Sequence, residues 1–254
     1  MNKLKIIFSV FALSLTLFSC DKDDDTTTVV DKTDDVLQIV VRQVPDENAW
    51  YSKLVPFINN LKQEKAYVDS REFKSIFGVS PFNPATGQPY DKVFFGLNQF
   101  ESQTEFNTLF QQYSTNPPQV FLDLLPTFTD IIPNNASVVV KKYRNTPNID
   151  VKNFLSAGQV LEIAIRDVSG FSNFNDFDTK RAAFVDLLKQ QDGFVKELEY
   201  RSEDGKYYVG MTIYENIQKF QTIATNPAVM QSAVAGALFS SYPPDVNQFG
   251  LAYP

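Results

Sequence analysis

The feature that most constrains the fold of this chain is an internal repeat. Residues 36–44 read VLQIVVRQV and residues 160–168 read VLEIAIRDV, so that five of the nine positions are identical. Apolar side chains alternate along both segments, which is the pattern of a β-strand with one strongly apolar face. A duplicated unit constrains the whole chain, because each copy is expected to form the same elements in the same order.

The elements after this strand also correspond between the two copies. In the first copy, residues from Trp50 to Leu61 are apolar at the spacing i, i+4, i+7, i+8 and i+11, which marks the buried face of a helix. The second copy repeats that spacing from Phe177 to Leu188, with Arg181 at its second position. A strand pair, a second helix and a last strand follow in both copies. The order β-α-β-β-α-β is that of a ferredoxin-like unit.

Helix start signals also agree between the two copies. Ser102 and Asn216 each follow the third strand, and both residue types are good N-caps. The sequence therefore predicts an α+β fold that is made of two ferredoxin-like units. These units cover residues 36–143 and 158–254, with a linker over residues 144–157.

The first 19 residues have the composition of an export signal. Lys3 and Lys5 precede an apolar run over residues 6–18, which is too short to cross a bilayer as a helix. Cys20 is the only cysteine of the chain and follows the sequence Leu-Phe-Ser, as in a lipobox. We therefore expect residues 1–19 to be a lipoprotein signal peptide and Cys20 to be lipidated.

An acidic segment follows the cysteine. Residues 20–35 are expected to form the lipidated cysteine and a disordered tether, because the segment is dominated by Asp and carries one short apolar pair. Its start, Cys-Asp-Lys-Asp-Asp-Asp, resembles the surface-export signals of Bacteroidota lipoproteins. That resemblance implies a lipid-anchored protein of the bacterial cell envelope, at the outer membrane and facing outward.

Composition excludes several classes of function. The chain has no histidine, which removes Ser-His-Asp and Cys-His catalysis, His-ligated haem and nearly all catalytic zinc sites. We therefore expect neither a cofactor nor a metal. Acidic residues number 30 against 23 basic residues, and this balance argues against a nucleic-acid partner.

Each copy resembles a dimeric α+β barrel domain of the antibiotic-biosynthesis-monooxygenase type. The resemblance rests on the segment Tyr-Glu-Asn-Ile-Gln-Lys-Phe over residues 214–220 and on Asp-Gly-Phe over residues 192–194. The first copy departs at the second motif, where residues 64–67 read EKAY. The resemblance implies that the two units pair within one chain, as a monomer that acts as a pseudo-dimer.

Two arginines stand out on the first strands of the copies. Gln38 and Arg42, and likewise Glu162 and Arg166, interrupt the otherwise apolar second face of these strands. In one interpretation, Arg42 and Arg166 face a pocket and bind a carboxylate or enolate-like oxygen. In the other, which we favour, each pairs with a carboxylate of the second strand, namely Glu72 and Glu199.

The family resemblance implies further candidate residues. A cofactor-independent oxygenase or isomerase positions a small aromatic, quinol-like substrate with Trp, Asn, Tyr or Arg side chains. The candidates for such catalysis are Arg42, Trp50 and Asn98 in the first copy, and Arg166, Tyr200 and Tyr214 in the second.

Besides a structural role in a larger envelope assembly, two functions remain open from the sequence. The first, which we favour, is a non-catalytic module that binds a small apolar or aromatic ligand or an envelope protein. It is supported by the missing catalytic residue types and by an enlarged loop over residues 79–90, since long loops on a rigid scaffold often carry recognition. The alternative is the cofactor-independent enzyme.

Overall fold

The computed structural model describes residues 34–253. The signal peptide over residues 1–19, the lipidation site Cys20 and most of the acidic tether lie outside the described residues. Those features therefore stay predictions. Within residues 34–253, no helix combines the length and the apolar character needed to cross a membrane.

The first repeat contains the strands and helices expected from the sequence. In chain order its elements are β1 (Val36–Gln43), α1 (Glu47–Leu61), β2 (Tyr67–Ser80), β3 (Val93–Phe100), α2 (Gln103–Thr115), α3 (Gln119–Leu124), a 3-10 turn (Leu125–Thr127), β4 (Thr129–Asp130) and β5 (Val138–Lys142). The side chain of Ser102 accepts a hydrogen bond from the backbone N–H of Glu105, as expected for an N-cap.

The second repeat follows the same order. Its elements are β6 (Val160–Asp167), α4 (Phe174–Lys189), β7 (Phe194–Arg201), β8 (Tyr207–Tyr214), α5 (Ile217–Thr225), α6 (Pro227–Met230), α7 (Ala233–Ser241) and β9 (Val246–Ala252). Asn216 caps α5 by accepting a hydrogen bond from the backbone N–H of Lys219. The predicted N-caps of both repeats are therefore confirmed.

The strands of the two repeats close into one barrel. Eight strands form a closed ring in the order β1-β3-β2-β9-β6-β8-β7-β5 and back to β1, so that each of them pairs with two neighbours. The two-residue strand β4 pairs with β1 outside this ring. Each repeat supplies four consecutive strands of the ring, and the last strand of each pairs with the second strand of the other. The fold is thus an intrachain dimeric α+β barrel, a pseudo-dimer formed by two ferredoxin-like units.

The two seams between the repeats differ in length. At the seam between β2 and β9, six residue pairs run from Phe73 opposite Ala252 to Ser80 opposite Asn247. At the seam between β5 and β7 only two pairs form. The difference follows from strand length, because β2 has 14 residues and β5 has five.

Apolar side chains from both repeats fill the barrel interior. The predicted apolar face of the first strand in each repeat points inward, and its side chains are buried together with Tyr200. Ile149, Val151 and Leu155 of the segment between the repeats pack into the same core. The side chain of Gln99 holds this segment by donating to the carbonyl of Ile149 and accepting from the N–H of Val151.

The second face of the first strands lies under the helices. Val44 at the end of β1 packs with Trp50 and Leu54 of α1, and Val36 packs with Leu61 and with residues of α2. In the second repeat, Val160 and Val168 have equivalent positions beneath the helices. The polar residues that interrupt this face are therefore held between a sheet and its helices, where the candidate sites lie.

Candidate functional site

A cavity of about 380 Å³ lies between the helices of the first repeat and the outer face of its sheet. Most of its lining comes from α1, α2 and α3, and the sheet contributes Gln38 and Phe100. Phe110 and Thr115 are exposed, so the opening lies at the side of α2. The apolar part of the lining consists of Phe57, Leu61, Phe100, Phe106, Leu109, Phe110, Pro117, Phe121, Leu122 and Leu125.

The side-chain amide of Gln38 gives this cavity an oriented polar group. Its Oε1 accepts a hydrogen bond from Asn98 Nδ2 at 3.0 Å, and its Nε2 donates to Ser137 Oγ at 3.2 Å. An amide nitrogen carries two protons, so one N–H of Gln38 is left for a guest. Asn98 Oδ1 is buried without a hydrogen-bond partner within the described part of the chain.

Tyr113 is the one ionisable residue that lines the cavity within residues 34–253. Its hydroxyl accepts a hydrogen bond from Asn60 Nδ2 at 2.7 Å and lies 3.2 Å from Glu64 Oε1. Burial and the nearby Glu64 raise the pKa of Tyr113 to about 12, so the phenol is neutral at physiological pH. The described lining therefore offers neither a charge nor a carboxylate or amine base.

The second repeat has a much smaller cavity under its helices. A cavity of about 30 Å³ remains there, and charged side chains line it. Glu162 stands where the first repeat has Gln38, and it accepts hydrogen bonds from Tyr214 at 2.7 Å and from Asn247 at 3.0 Å. Phe184 and Leu188 of α4 also line this small cavity, at the positions where α1 has Phe57 and Leu61.

Carboxylates in this second-repeat cluster have altered acidities. Burial raises the pKa of Glu197 to about 7, although Thr212 donates a hydrogen bond to its Oε2 at 2.6 Å. Burial also raises the pKa of Glu162, against the opposing effect of its donors Tyr214 and Asn247. The cluster can therefore take up protons near neutral pH.

The structure supports the ion-pair interpretation for Arg42. Its Nη1 lies 3.8 Å from Glu72 Oε1, and both side chains are buried. The guanidinium also lies 4.9 Å from the centre of the Phe128 ring. Arg42 does not line the first-repeat cavity.

The predicted pair between Arg166 and Glu199 is wrong. Glu199 Oε1 instead accepts from Arg181 Nη2 at 2.9 Å. The reason is that α4 carries Arg181 at the position where α1 carries Leu54, so a second guanidinium reaches the carboxylate from the helix. Arg166 donates through Nε to the carbonyl of Tyr242 at 3.0 Å and lines the small cavity.

The structure separates the other candidate residues. Trp50 is fully buried against Phe94, at a ring distance of 4.6 Å, and Tyr200 is buried in the barrel interior. Tyr214 donates to Glu162, and Asn98 supports Gln38 at the first-repeat cavity. The six candidates therefore do not converge on one site, and a catalytic role for them stays a prediction.

The structure brings several residues to these sites that were not predicted from the sequence to be site residues. Gln38 and Glu162 carried a usable signal, since each is a polar residue on an apolar strand face. Arg181 carried a similar signal, as an arginine on the apolar face of a helix. The aromatic lining from α2 and α3 carried none, because apolar residues at helical spacing predict burial whether or not they enclose a cavity.

The enlarged loop of the first repeat lies away from both cavities. It connects β2 to β3, and a single bridge pairs Phe82 with Pro89. Phe82 is 56% exposed, and no charged residue occurs from Ser75 to Tyr90. A recognition role for this loop stays a prediction.

Among the described residues, no group of carboxylate, Cys or His side chains is placed to hold a metal ion.

Comparison with solved structures shows the fold. A crystal structure of an anthrone oxidase-like protein matches with a TM-score of 0.55 at 8% identity, over 87% of this chain and 92% of that chain. A mutant chlorite dismutase from Candidatus Nitrospira defluvii, in complex with cyanide, matches with a TM-score of 0.46 at 11% identity, over 87% and 91% of the two chains.

A third match covers a single unit. SnoaB, a cofactor-independent oxygenase from Streptomyces nogalater, matches with a TM-score of 0.32 at 20% identity, over 39% of this chain and 93% of that chain. No protein-family model matches the chain, and no curated protein matches it. The closed ring of strands and the likeness to the anthrone oxidase-like protein identify the fold as a dimeric α+β barrel.

Proposed function

We propose that this protein is a cell-envelope lipoprotein that binds a small, neutral aromatic molecule in the first-repeat cavity without converting it. The observation that carries the proposal is the cavity itself, which is about 380 Å³ in volume and is lined by aromatic side chains around one fixed amide. Ligand sites commonly combine apolar walls with a few oriented polar groups. Within residues 34–253, apolar side chains of both repeats pack in the barrel interior.

The chemistry of the lining specifies a neutral guest. An ion in this cavity would lose its hydration without gaining a counter-charge, which is strongly unfavourable. Aromatic rings pack well against the Phe side chains of the walls. A carbonyl or hydroxyl oxygen on the guest would accept the remaining N–H of Gln38, whose amide is already held by Asn98 and Ser137.

A titration with a matched pair of ligands tests the proposal. We expect 2-naphthol to bind the purified protein in a calorimetric titration and 2-naphthoate, which has the same ring system and a negative charge, to bind far more weakly. Leu109→Trp should abolish binding, because Leu109 is buried in the cavity wall. Gln111→Trp is the control, since it adds the same side chain at an exposed position of α2.

The opposite outcomes would reject the proposal. Equal affinity for the two ligands would show that the lining does not select against charge. Unchanged binding of 2-naphthol to Leu109→Trp would place the ligand elsewhere on the molecule.

A cofactor-independent oxygenase is the second candidate function. It is favoured by the likeness to the anthrone oxidase-like protein, which is a likeness of fold. Against it, the described lining holds no carboxylate or amine to remove a proton from a substrate, and Tyr113 is neutral. We expect the protein not to accelerate oxygen uptake by an anthrone in an oxygen-electrode assay. Acceleration that Leu109→Trp abolishes would favour the oxygenase.

Lipidation at Cys20 is part of the proposal and supports the envelope location. Its basis is the position of this single cysteine after the apolar run. In cells fed a radioactive or alkyne-bearing fatty acid, we expect label on the protein and none on Cys20→Ser. Label that persists in Cys20→Ser would reject this anchor.

A further inference from the structure

The guanidinium of Arg166 is a buried charge without a counter-ion. Arg166 is 4% exposed. Within residues 34–253, no carboxylate oxygen lies within 4.0 Å of a guanidinium nitrogen of Arg166, which is the distance limit of an ion pair. Within the described chain, the guanidinium donates through Nε to the carbonyl of Tyr242, and its two terminal nitrogens have no hydrogen-bond acceptor there. The equivalent Arg42 differs, since Glu72 lies 3.8 Å from it.

Arg166 lines the cavity of about 30 Å³ in the second repeat. A space of this size holds a water molecule or a guest of similar dimensions. The hydroxyl of Tyr208, which also belongs to the lining, is buried without a hydrogen-bond partner among the described residues. Arg181 Nη1 makes no hydrogen bond there either, and it lies 3.9 Å from Glu197 Oε1. The cavity therefore presents several free donors, and a small guest that accepts hydrogen bonds would satisfy them.

Among the described residues of this cluster, Arg166 is the guanidinium that has no carboxylate within ion-pair distance, whereas Arg181 contacts Glu197 and Glu199. The titratable and charged neighbours of Arg166 come from β6, α4, β7 and β8. They are Glu162, Arg181, Glu197, Glu199, Tyr208 and Tyr214. Helix α7 contributes only the apolar residues Leu238 and Phe239 to this lining. Glu199 is engaged by Arg181 at 2.9 Å, and Glu162 by Tyr214 and Asn247. Glu197, with a pKa of about 7, carries a proton for part of the time at neutral pH and more often below it.

We propose that this second-repeat cavity binds a small monovalent anion, such as chloride or formate, through the guanidinium of Arg166. The anion would supply the missing counter-charge and accept hydrogen bonds from the free donors. The volume excludes larger anions such as gluconate. Protonation of Glu197 removes a neighbouring negative charge, so binding should be tighter at lower pH. This site is independent of the ligand proposed for the first repeat.

Thermal unfolding in matched salts tests this site. The full chain is unfolded in sodium formate and in sodium gluconate at the same ionic strength, at about pH 6 and about pH 8. A ligand that binds the native state raises Tm in a concentration-dependent way. We expect Tm to be a few degrees higher in formate at the lower pH, with a smaller shift at the higher pH.

Matched variants locate the effect. Arg166→Gln should lose the difference between the two salts. Arg71→Gln should keep it, since Arg71 is a first-repeat guanidinium that donates to the carbonyls of Lys152 and Leu155. Equal Tm values of the native chain in formate and gluconate, or a salt difference that persists in Arg166→Gln, would overturn the proposal.

A second measurement does not depend on how Arg166→Gln folds. Crystals of the native chain grown in sodium bromide should show an anomalous peak within hydrogen-bonding distance of the Arg166 guanidinium. The absence of that peak in the cavity would show that water alone occupies it, and would overturn the proposal.

Discussion

Gly96 and Gly210 occupy the same place in the two repeats, in the middle of β3 and β8. A Cβ atom on Gly96 would lie 2.5 Å from Glu72 Oε1, and one on Gly210 would lie 2.9 Å from Glu197 Oε1. Glycine therefore leaves room for a buried carboxylate to lie across the third strand. Both repeats therefore have a glycine beside a buried carboxylate, although Glu72 and Glu197 are at different positions of the second strand.

This contact makes Gly96→Ala a test of the packing around Arg42. The added methyl group should push Glu72 away from Arg42, and we expect the free energy of unfolding to fall by about 1–3 kcal/mol in urea denaturation. Gly236→Ala is the control, because a Cβ there meets nothing within 4 Å and Ala favours the helix α7. If Gly96→Ala is as stable as the native chain, the close contact between Gly96 and Glu72 is not real.

The raised pKa of Glu197 predicts a pH-dependent stability. In the folded protein this pKa is about 7, above the value near 4.3 of an unfolded chain. Between these values the folded state holds more protons than the unfolded state, so the free energy of unfolding falls as pH rises. The contribution of Glu197 is at most about 4 kcal/mol, because one pKa unit is worth about 1.4 kcal/mol.

Glu197→Gln should lack this contribution. We expect the stability of Glu197→Gln relative to the native chain to increase as pH rises from about 4.5 to about 7, in urea denaturation at a series of pH values. Glu72 also has a raised pKa, but it titrates in both proteins and cancels in the difference. Glu162 is coupled to Glu197, so the difference reports on this pair of carboxylates. Parallel stability curves for the two proteins would contradict the assignment.

The two seams between the repeats differ in length, and we expect them to differ in how easily their strands separate. The seam between β5 and β7 has two residue pairs, and the seam between β2 and β9 has six. Local opening costs less where fewer backbone hydrogen bonds and contacts must break. The barrel should therefore open first between β5 and β7.

Hydrogen exchange measures this difference directly. We expect amides at the seam between β5 and β7 to exchange faster than those at the seam between β2 and β9, under native conditions and monitored by NMR or mass spectrometry. Equal protection at the two seams would mean that the barrel opens as one cooperative unit.

The sequence predicts the elements better than it predicts their contacts. Helices and strands follow from apolar spacing and caps, which are local and occur twice in the chain. The partner of Arg166 was missed because it depends on Arg181, which reaches Glu199 from another element of the same repeat. Leu54 at the equivalent position carries no charge, so Glu72 forms its ion pair with Arg42. One substitution on a helix thus changes which charges pair on the sheet.

At the scale of the whole molecule, one duplicated unit has produced two different interiors under its helices. The first repeat encloses a cavity of about 380 Å³, and the second encloses about 30 Å³ among charged groups. The pseudo-dimer follows from the repeat in the sequence, because the two copies have the same order of elements. The asymmetry does not follow, since a cavity depends on how side chains from several elements fill a common volume.

We infer that the first-repeat cavity holds a neutral aromatic molecule. The most direct test is a crystal structure of the protein soaked with 1-bromo-2-naphthol, in which anomalous scattering locates the bromine. We expect one strong peak between α1, α2 and α3, with the hydroxyl oxygen of the ligand next to the amide of Gln38. An empty first-repeat cavity, or bromine bound only elsewhere on the molecule, would contradict the claim.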